Sequence, residues 1–250
     1  MQDQLVVVIT GASRGIGNAL AQAYLSRPSC TVVGTVRDDG APGVAELNSS
    51  SKGEGSKLLL VKVDSSSHKD ASSFGEKLTA AGIDHIDILI ANAGTSTPAK
   101  PLEAVGLEDV TTVFNVNAVG PLALYQACHA FLKRSDNAKF VTISSSAGSI
   151  GLMKTLGTHV TPAYGISKAA LNWITSSAHC GNTWLTAFAV QPGLTGTDMG
   201  NRTAKFLGLE KAPQTKEQCA EKIMTLTENA SRETISGKFL DITNGKELPW

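Results

Sequence analysis

Residues 5–17 read LVVVITGASRGIG, and this stretch constrains the chain more than any other. Its first five residues are apolar and mostly β-branched without alternation, the pattern of a strand buried on both faces of a parallel sheet. Thr10 and Gly11 break the run. From Gly15 the apolar period becomes that of a helix, with Ile16, Leu20 and Ala23/Tyr24 on one side. Residues 11–17 therefore form the turn between a strand end and a helix N-terminus. Unpaired backbone N–H groups and the positive end of the helix dipole make such a turn an anion site, and glycine allows close approach. A pyrophosphate suits it. The plainer reading of the turn alone is a glycine connection from strand to helix.

The glycines fall at Gly11-x-x-x-Gly15-x-Gly17, which departs from the G-x-G-x-x-G of the general dinucleotide fingerprint. Thr10-Gly-x-x-x-Gly-Ile-Gly, opening a chain of this length, resembles the short-chain dehydrogenase/reductase family, whose single-domain members bind NAD(P)(H). The resemblance implies an α/β Rossmann fold, a doubly wound parallel sheet of about seven strands. It also implies a phosphate loop made by Gly11, Ser13, Arg14, Gly15, Ile16 and Gly17.

The 250 residues, 42% hydrophobic and 18% charged, suffice for one α/β domain spanning 1–250. Twenty-two basic residues balance twenty-two acidic ones, so no global field would gather nucleic acid or an anionic membrane. The first strand begins by Leu5, which leaves no room for a secretion signal, and no apolar run reaches the roughly 18 residues of a membrane span. A soluble, cytoplasmic protein is expected. Cys30, Cys128, Cys180 and Cys219 lie far apart, with neither C-x-x-C spacing nor partner histidines, which argues for reduced thiols and no metal. His159 reads as an exposed loop residue, with the lining of a pocket as the alternative.

A second strand over 31–36 is followed by Arg37-Asp38. In dinucleotide folds an acidic residue at the end of this strand binds the adenosine ribose and repels a 2′-phosphate. Here Arg37 stands there, and Arg14 lies in the phosphate loop, so two guanidinium groups converging on a 2′-phosphate would favour NADP(H) over NAD(H). A third strand over 58–63 ends at Asp64, which the resemblance assigns to the adenine amino group, although Asp after a strand is also a common helix cap. Residues 66–81 read as one polar helix and 86–90 as a fourth strand. Ala91-Asn92-Ala93-Gly94 resembles the family's Asn-Asn-Ala-Gly with its first Asn replaced. Asn92 is then expected to brace neighbouring strands or meet the ribose, with Ala93 and Gly94 allowing close approach. Residues 107–134 read as a long helix or a broken pair. Asn115 and Asn117 fall in its middle and Pro121 nearby, so a local irregularity is expected. In the family the residue matching Asn117 holds a water through its backbone carbonyl.

The strand over 139–143 runs into Ser144-Ser145-Ser146-Ala147-Gly148, at the strand end where open α/β sheets place their chemistry. Three serines compete there, and the family's Ser-x-x-Gly pattern selects Ser145. Tyr164 and Lys168 open a helix over 163–180, and their spacing of four puts them on one face. A free tyrosine keeps its proton to about pH 10, and a nearby cation stabilises the phenolate, so Lys168 is expected to lower the phenol pKa. Nineteen residues separate Ser145 from Tyr164, more than is usual in the family, which points to an insertion within 151–161. A sixth strand over 183–190 leads to Gln191-Pro192-Gly193. The resemblance puts Pro192, Gly193, Thr195 and Thr197 beside the nicotinamide. Residues 200–213 lack strong periodicity and read as a substrate lid, 214–229 as a helix and 237–242 as a seventh strand.

The tail from Ser236-Gly-Lys-Phe to Leu248-Pro-Trp250, the block Trp184-Leu-Thr-Ala-Phe and Thr197-Asp-Met-Gly resemble fungal ketoreductases of the norsolorinic-acid type and sniffer-like carbonyl reductases. That resemblance implies hydride transfer from NADPH to a ketone. Ser145 would bind the carbonyl oxygen, Tyr164 protonate it, Lys168 hold the nicotinamide ribose and Asn117 with its water return the proton. Between 144 and 161 the only cation is Lys154, among Ile150, Leu152, Met153, Leu156 and Val160. The lid adds Phe206, Leu207 and Leu209 alongside Arg202 and Lys205, so a bulky apolar ketone, aromatic or polyketide-derived, is expected. The alternatives are a catalytically silent NADP-sensing regulator and a sugar-nucleotide epimerase or dehydratase using the same Tyr/Lys pair. Whether the chain forms a dimer, a tetramer or neither stays open.

Overall fold

A strand that carries no polar alternation needs apolar cover on both faces, and β1 (Leu5–Thr10) has it. In a computed structural model, which describes residues 4–250, Val7 and Ile9 enter one core while Val6 and Val8 enter another across the sheet. Each fully buried aliphatic side chain contributes roughly 1.5–3 kcal/mol relative to exposure. The chain continues through α1 (Gly15–Leu25), β2 (Cys30–Val36), α2 (Pro42–Ser49), β3 (Lys57–Lys62), α3 (His68–Ser72), α4 (Phe74–Ala80) and β4 (Ile88–Ala91). Then come α5 (Leu107–Phe114), α6 (Gly120–Leu132), β5 (Lys139–Ile143), α7 (Met153–Leu156), α8 (Pro162–Gly181) and β6 (Thr186–Gln191). Last are α9 (Asp198–Phe206), α10 (Lys216–Glu228), β7 (Phe239–Asp241) and β8 (Lys246–Glu247).

The eight strands form one sheet in the order β3-β2-β1-β4-β5-β6-β7-β8, parallel except for β8, which pairs antiparallel with β7. Helices α1 and α10 cover the Val7/Ile9 face with Leu20, Tyr24 and Ile223. On the other face Phe74 and Leu78 of α4 pack with Leu124, Cys128 and Phe131 of α6. Because β1 is flanked by β2 on one side and β4 on the other, the strand order reverses there, and the crevice above the C-terminal ends of β1 and β4 is where such sheets bind ligands.

Three expectations are modified. The polar helix expected over 66–81 is two helices, because Ser73 ends α3 and starts α4, and its hydroxyl donates to the carbonyl of Asp70. The aperiodic stretch over 200–213 holds most of α9, which Thr197 caps by accepting from the amide of Gly200. The inserted loop over 151–161 is partly helical, containing α7 and a 3₁₀ turn, Thr158–Val160. The irregularity expected near Asn117 is a π-helical turn, Asn115–Val119, between α5 and α6. The eighth strand has no counterpart in the sequence reading. Among the described residues no helix is long and apolar enough to cross a membrane, and no three His, Cys, Asp or Glu residues gather to hold a metal. Cys30, Cys128 and Cys219 are buried free thiols, and Cys180 is an exposed one.

Candidate active site

The turn after β1 is built by close backbone approach. Gly11 and Gly15 adopt positive φ, and a Cβ on Gly17 would fall 2.4 Å from both the carbonyl oxygen of Gly11 and Nδ2 of Asn92. Asn92 donates to the carbonyl of Thr10, and the Thr10 hydroxyl accepts from the amides of Asn92 and Ala93. The expected brace between strands is therefore present, running from β4 to β1. Arg14 stands at the N-cap of α1 but makes no side-chain capping bond, and the first turn carries no acidic residue. No side chain of the helix itself thus competes with an anion for these N–H groups, so the loop fits a dinucleotide phosphate. Buried Asn18, one turn into α1, fastens the loop from below by donating to the carbonyls of Ala12 and Gly43. The backbone of Ser13 lies against Gly43, and Ile16, in the first turn of α1, packs on the core.

Arg37 is exposed at the end of β2, as expected. Arg14 does not stand free beside it: its guanidinium pairs with Asp198 of α9 at 3.6 Å, and both side chains are exposed. The methyl group of Thr197 would also lie 3.2 Å from a Cβ on Gly15, so the start of α9 rests on the phosphate loop. Asp64 accepts from the amide and hydroxyl of Ser66 through Oδ1. The Ser66 bonds hold its carboxyl below the usual carboxylate range, and Arg37 adds to the effect. One oxygen is thus engaged in a turn, the cap-like role open to it from sequence.

At the end of β5 the three serines separate. Ser144 is buried and donates to Oδ1 of Asn172. Ser146 is bracketed by Gln191, whose Oε1 accepts from its amide at 3.0 Å and whose Nε2 donates to its hydroxyl at 3.2 Å. Ser145 accepts from the amide of Ala147 and faces the Tyr164 phenol. Gly148 permits this arrangement, because a Cβ there would fall 2.7 Å from Cβ of Lys168.

Tyr164 and Lys168 lie one turn apart on α8, with the ammonium 5.6 Å from the phenol ring centre. Lys168 is buried and donates to the carbonyl of Ile143 at 2.7 Å. Burial pushes the Tyr164 phenol up to about 12, with Ser145 opposing. Burial pulls Lys168 down to about 8. The direction at Tyr164 is the reverse of the sequence expectation: the ammonium is spent on a carbonyl, and desolvation of the phenolate outweighs it. In this state the phenol is a protonated donor at neutral pH.

Asn117, fully buried in the π-helical turn, donates to the carbonyl of Thr95 and the hydroxyl of Ser167 and accepts from the amide of Thr95. It ties the end of β4 to α8. A Cβ on Gly94 would sit 3.3 Å from Oδ1 of Asn117 and 3.8 Å from Nζ of Lys168, so this corner joins the serine loop and α8 in one site. On the far wall Gly193 has positive φ, Pro192 accepts from Gln214, and Thr195 is buried against both. A cleft of about 480 Å³ lined by Ser72, Val119, Leu122 and Gln126 lies apart and includes none of these residues. Sequence reasoning missed the roles of Asn18, Asn172 and Gln191. A signal existed for two of them, since Asn18 interrupts an apolar helix face and Asn172 follows Lys168 by four on the same face.

The sequence matches the short chain dehydrogenase family over residues 5–207. It is 43% identical to a short-chain dehydrogenase of Pyricularia oryzae, with all of both chains covered. It is 36% identical to the norsolorinic acid ketoreductase of Aspergillus parasiticus, covering 99% of this chain and 92% of that one. Among solved structures it superposes on an NADPH-bound carbonyl reductase from chicken fatty liver with a TM-score of 0.83 and 26% identity, covering 100% of this chain and 96% of that one. With this fold, these motifs and these relatives, the chain belongs to the short-chain dehydrogenase family, oxidoreductases acting on carbonyl and alcohol groups.

Proposed function

We propose that this enzyme is an NADPH-dependent ketoreductase that reduces a bulky, apolar ketone, aromatic or polyketide-derived, to a secondary alcohol. The observation that carries the reading is that Ser145 alone of three serines faces Tyr164, one helical turn from the buried Lys168. When bound, NADPH supplies the hydride. The turn of Gly11, Ser13, Arg14, Gly15, Ile16 and Gly17 would hold its phosphates. Arg37 and Arg14 would meet the 2′-phosphate, and Asp64 the adenine. Asn92, Ala93, Gly94, Lys168, Pro192, Gly193, Thr195 and Thr197 would border the ribose and nicotinamide.

In this scheme the Ser145 hydroxyl donates to the ketone oxygen while the Tyr164 phenol gives it a proton. A phenol held at about 12 is fully protonated at neutral pH, the form required for reduction. Hydrogen bonds that strengthen as the oxygen becomes alkoxide stabilise the transition state more than the ketone. Lys168, which donates to the carbonyl of Ile143, would hold the ribose near the end of β5, and Asn117 keeps the π-helical turn in register with α8. An NADPH-bound carbonyl reductase among the structural relatives supports the cofactor choice, as does Arg37 where an acid would favour NAD.

The substrate class rests on what surrounds the serine loop. Ile150, just before the inserted segment, and Met153 and Leu156 on it are exposed, and Phe206, Leu207 and Leu209 are exposed at the end of α9 and beyond it. Large apolar side chains left in water on these two segments suit an apolar ligand. A norsolorinic acid ketoreductase among the relatives points to a polyketide-type ketone. The test compares kcat/KM for acetonaphthone and for pyruvate with NADPH. Acetonaphthone is expected to be the better substrate. A preference for pyruvate would mean that Lys154, Arg202 or Lys205 clamps a carboxylate, and would overturn the apolar-pocket reading.

A further inference from the structure

The chain's end is tied to the loop that follows Ser145. The Ser149 hydroxyl, on a fully buried residue, donates to the carbonyl of Pro249 at 2.6 Å and accepts from the amide of Leu152 at 3.2 Å. The amide of Gly151 donates to the carbonyl of Trp250 at 3.3 Å, and a Cβ on Gly151 would lie 3.2 Å from Cβ of Pro249. The Trp250 ring stacks on buried Phe239 of β7, with centres 5.7 Å apart and planes 19° apart. Leu248 donates to the carbonyl of Phe239 at 2.7 Å. Residues 248–250 are thus bonded to the sheet edge at one side and to the inserted loop at the other.

The same hairpin reaches the opposite wall. A Cβ on Gly193 would fall 2.5 Å from the methyl group of Thr243, between β7 and β8. Gln191, which brackets Ser146, pairs with Asp241 of β7. The family match ends at residue 207, so this hairpin and tail lie outside the matched region.

We infer that Trp250 and Ser149 are positioning residues that set the distance between the substrate loop and the nicotinamide wall, and so select for bulky ketones. The inference rests on the ketoreductase reading above. The strap touches no reacting atom. It holds the front of the segment carrying Ile150 and Met153, whose far end is held separately by the amide of Lys100 donating to the carbonyl of Val160 at 2.9 Å. Packing of Trp250 on Phe239 and the Ser149 bond act in series, each beside one backbone bond, so loss of either loosens the loop.

The test uses the full chain with Trp250→Ala, Ser149→Ala, the double variant and Trp250→Phe. KM for acetonaphthone should rise about two- to tenfold in each alanine variant. kcat with butanone and the NADPH dissociation constant should stay unchanged, and Trp250→Phe should restore the parent KM. Because the two contacts act in series, the double variant should be no worse than the poorer single one. Hydrogen exchange at the amides of Gly151 and Leu152 should quicken in both alanine variants. Equal losses on both ketones, additive effects, or unchanged exchange would each overturn the strap. If the parent enzyme reduces neither ketone, the ketoreductase reading fails, and the exchange measurement still decides whether the tail holds the loop.

Discussion

At Tyr164 and Lys168 burial does to two groups what their mutual attraction alone would not: it holds the phenol near 12 and lets the amine lose its proton near 8. The sign of the resulting pH dependence follows. Lys168 is charged below about 8 and neutral above it, whereas Tyr164 stays protonated across that range. In the reductive direction kcat/KM for NADPH, which reports groups of the free enzyme, should be flat below about 8 and fall above it. Lys168→Arg, which cannot lose its proton, should remove the fall. A flat parent profile through the alkaline range would show that the charge on Lys168 is not needed. The second expectation at this scale concerns Arg37, exposed at the end of β2 with no acid in its place. Arg37→Asp replaces a charge-assisted bond with repulsion, so NADPH affinity should fall about 10- to 150-fold while NADH affinity holds. Equal effects on the two cofactors, measured by fluorescence titration, would refute the 2′-phosphate assignment. The guanidinium of Arg14, expected beside Arg37, is paired with Asp198 at 3.6 Å in this structure.

The elements show why parts of this site could be read in advance and others could not. Tyr164 and Lys168 sit on a regular helix, where a spacing of four fixes a shared face, so their meeting was legible. Ser145 was legible through Gly148, whose lack of a side chain admits the backbone of Lys168. The latch between α9 and the phosphate loop was not, because residues 200–213 mix Gly, Lys and Arg without a buried stripe and α9 rests on only one buried residue, Ala204. The break at Ser73 was hidden for a similar reason, since serines carry little periodic signal. Another element-level feature is Lys139, which begins β5 but is almost fully buried and donates to the carbonyls of Thr227 and Glu228 at the end of α10. A cation there satisfies carbonyls that the helix leaves unpaired and opposes the negative end of its dipole. Lys139→Ala should destabilise the fold by roughly 1.5–3 kcal/mol in urea unfolding, without changing NADPH affinity. A change under roughly 0.5 kcal/mol would mean that water replaces the ammonium without loss.

Across the whole molecule, the parallel sheet was readable because strands covered on both faces must be almost continuous apolar runs. β1, β4 and β5 are buried along nearly their full length and announce themselves in that way. β8 is two exposed residues, Lys246 and Glu247, and carries no such signature. Its position depends on the turn after β7 and on the tail beyond it. The phosphate turn, the serine loop and α8 come together only because the sheet places the ends of β1, β4 and β5 side by side. At this convergence the proposed reaction is ketone reduction with Tyr164 as the proton donor. The most direct measurement is kcat for acetonaphthone with NADPH in the parent and in Tyr164→Phe, together with NADPH affinity in both. kcat should fall by about 10²–10⁴ with cofactor binding almost unchanged. Turnover retained within about tenfold would show that another group supplies the proton and would contradict the assignment of Tyr164.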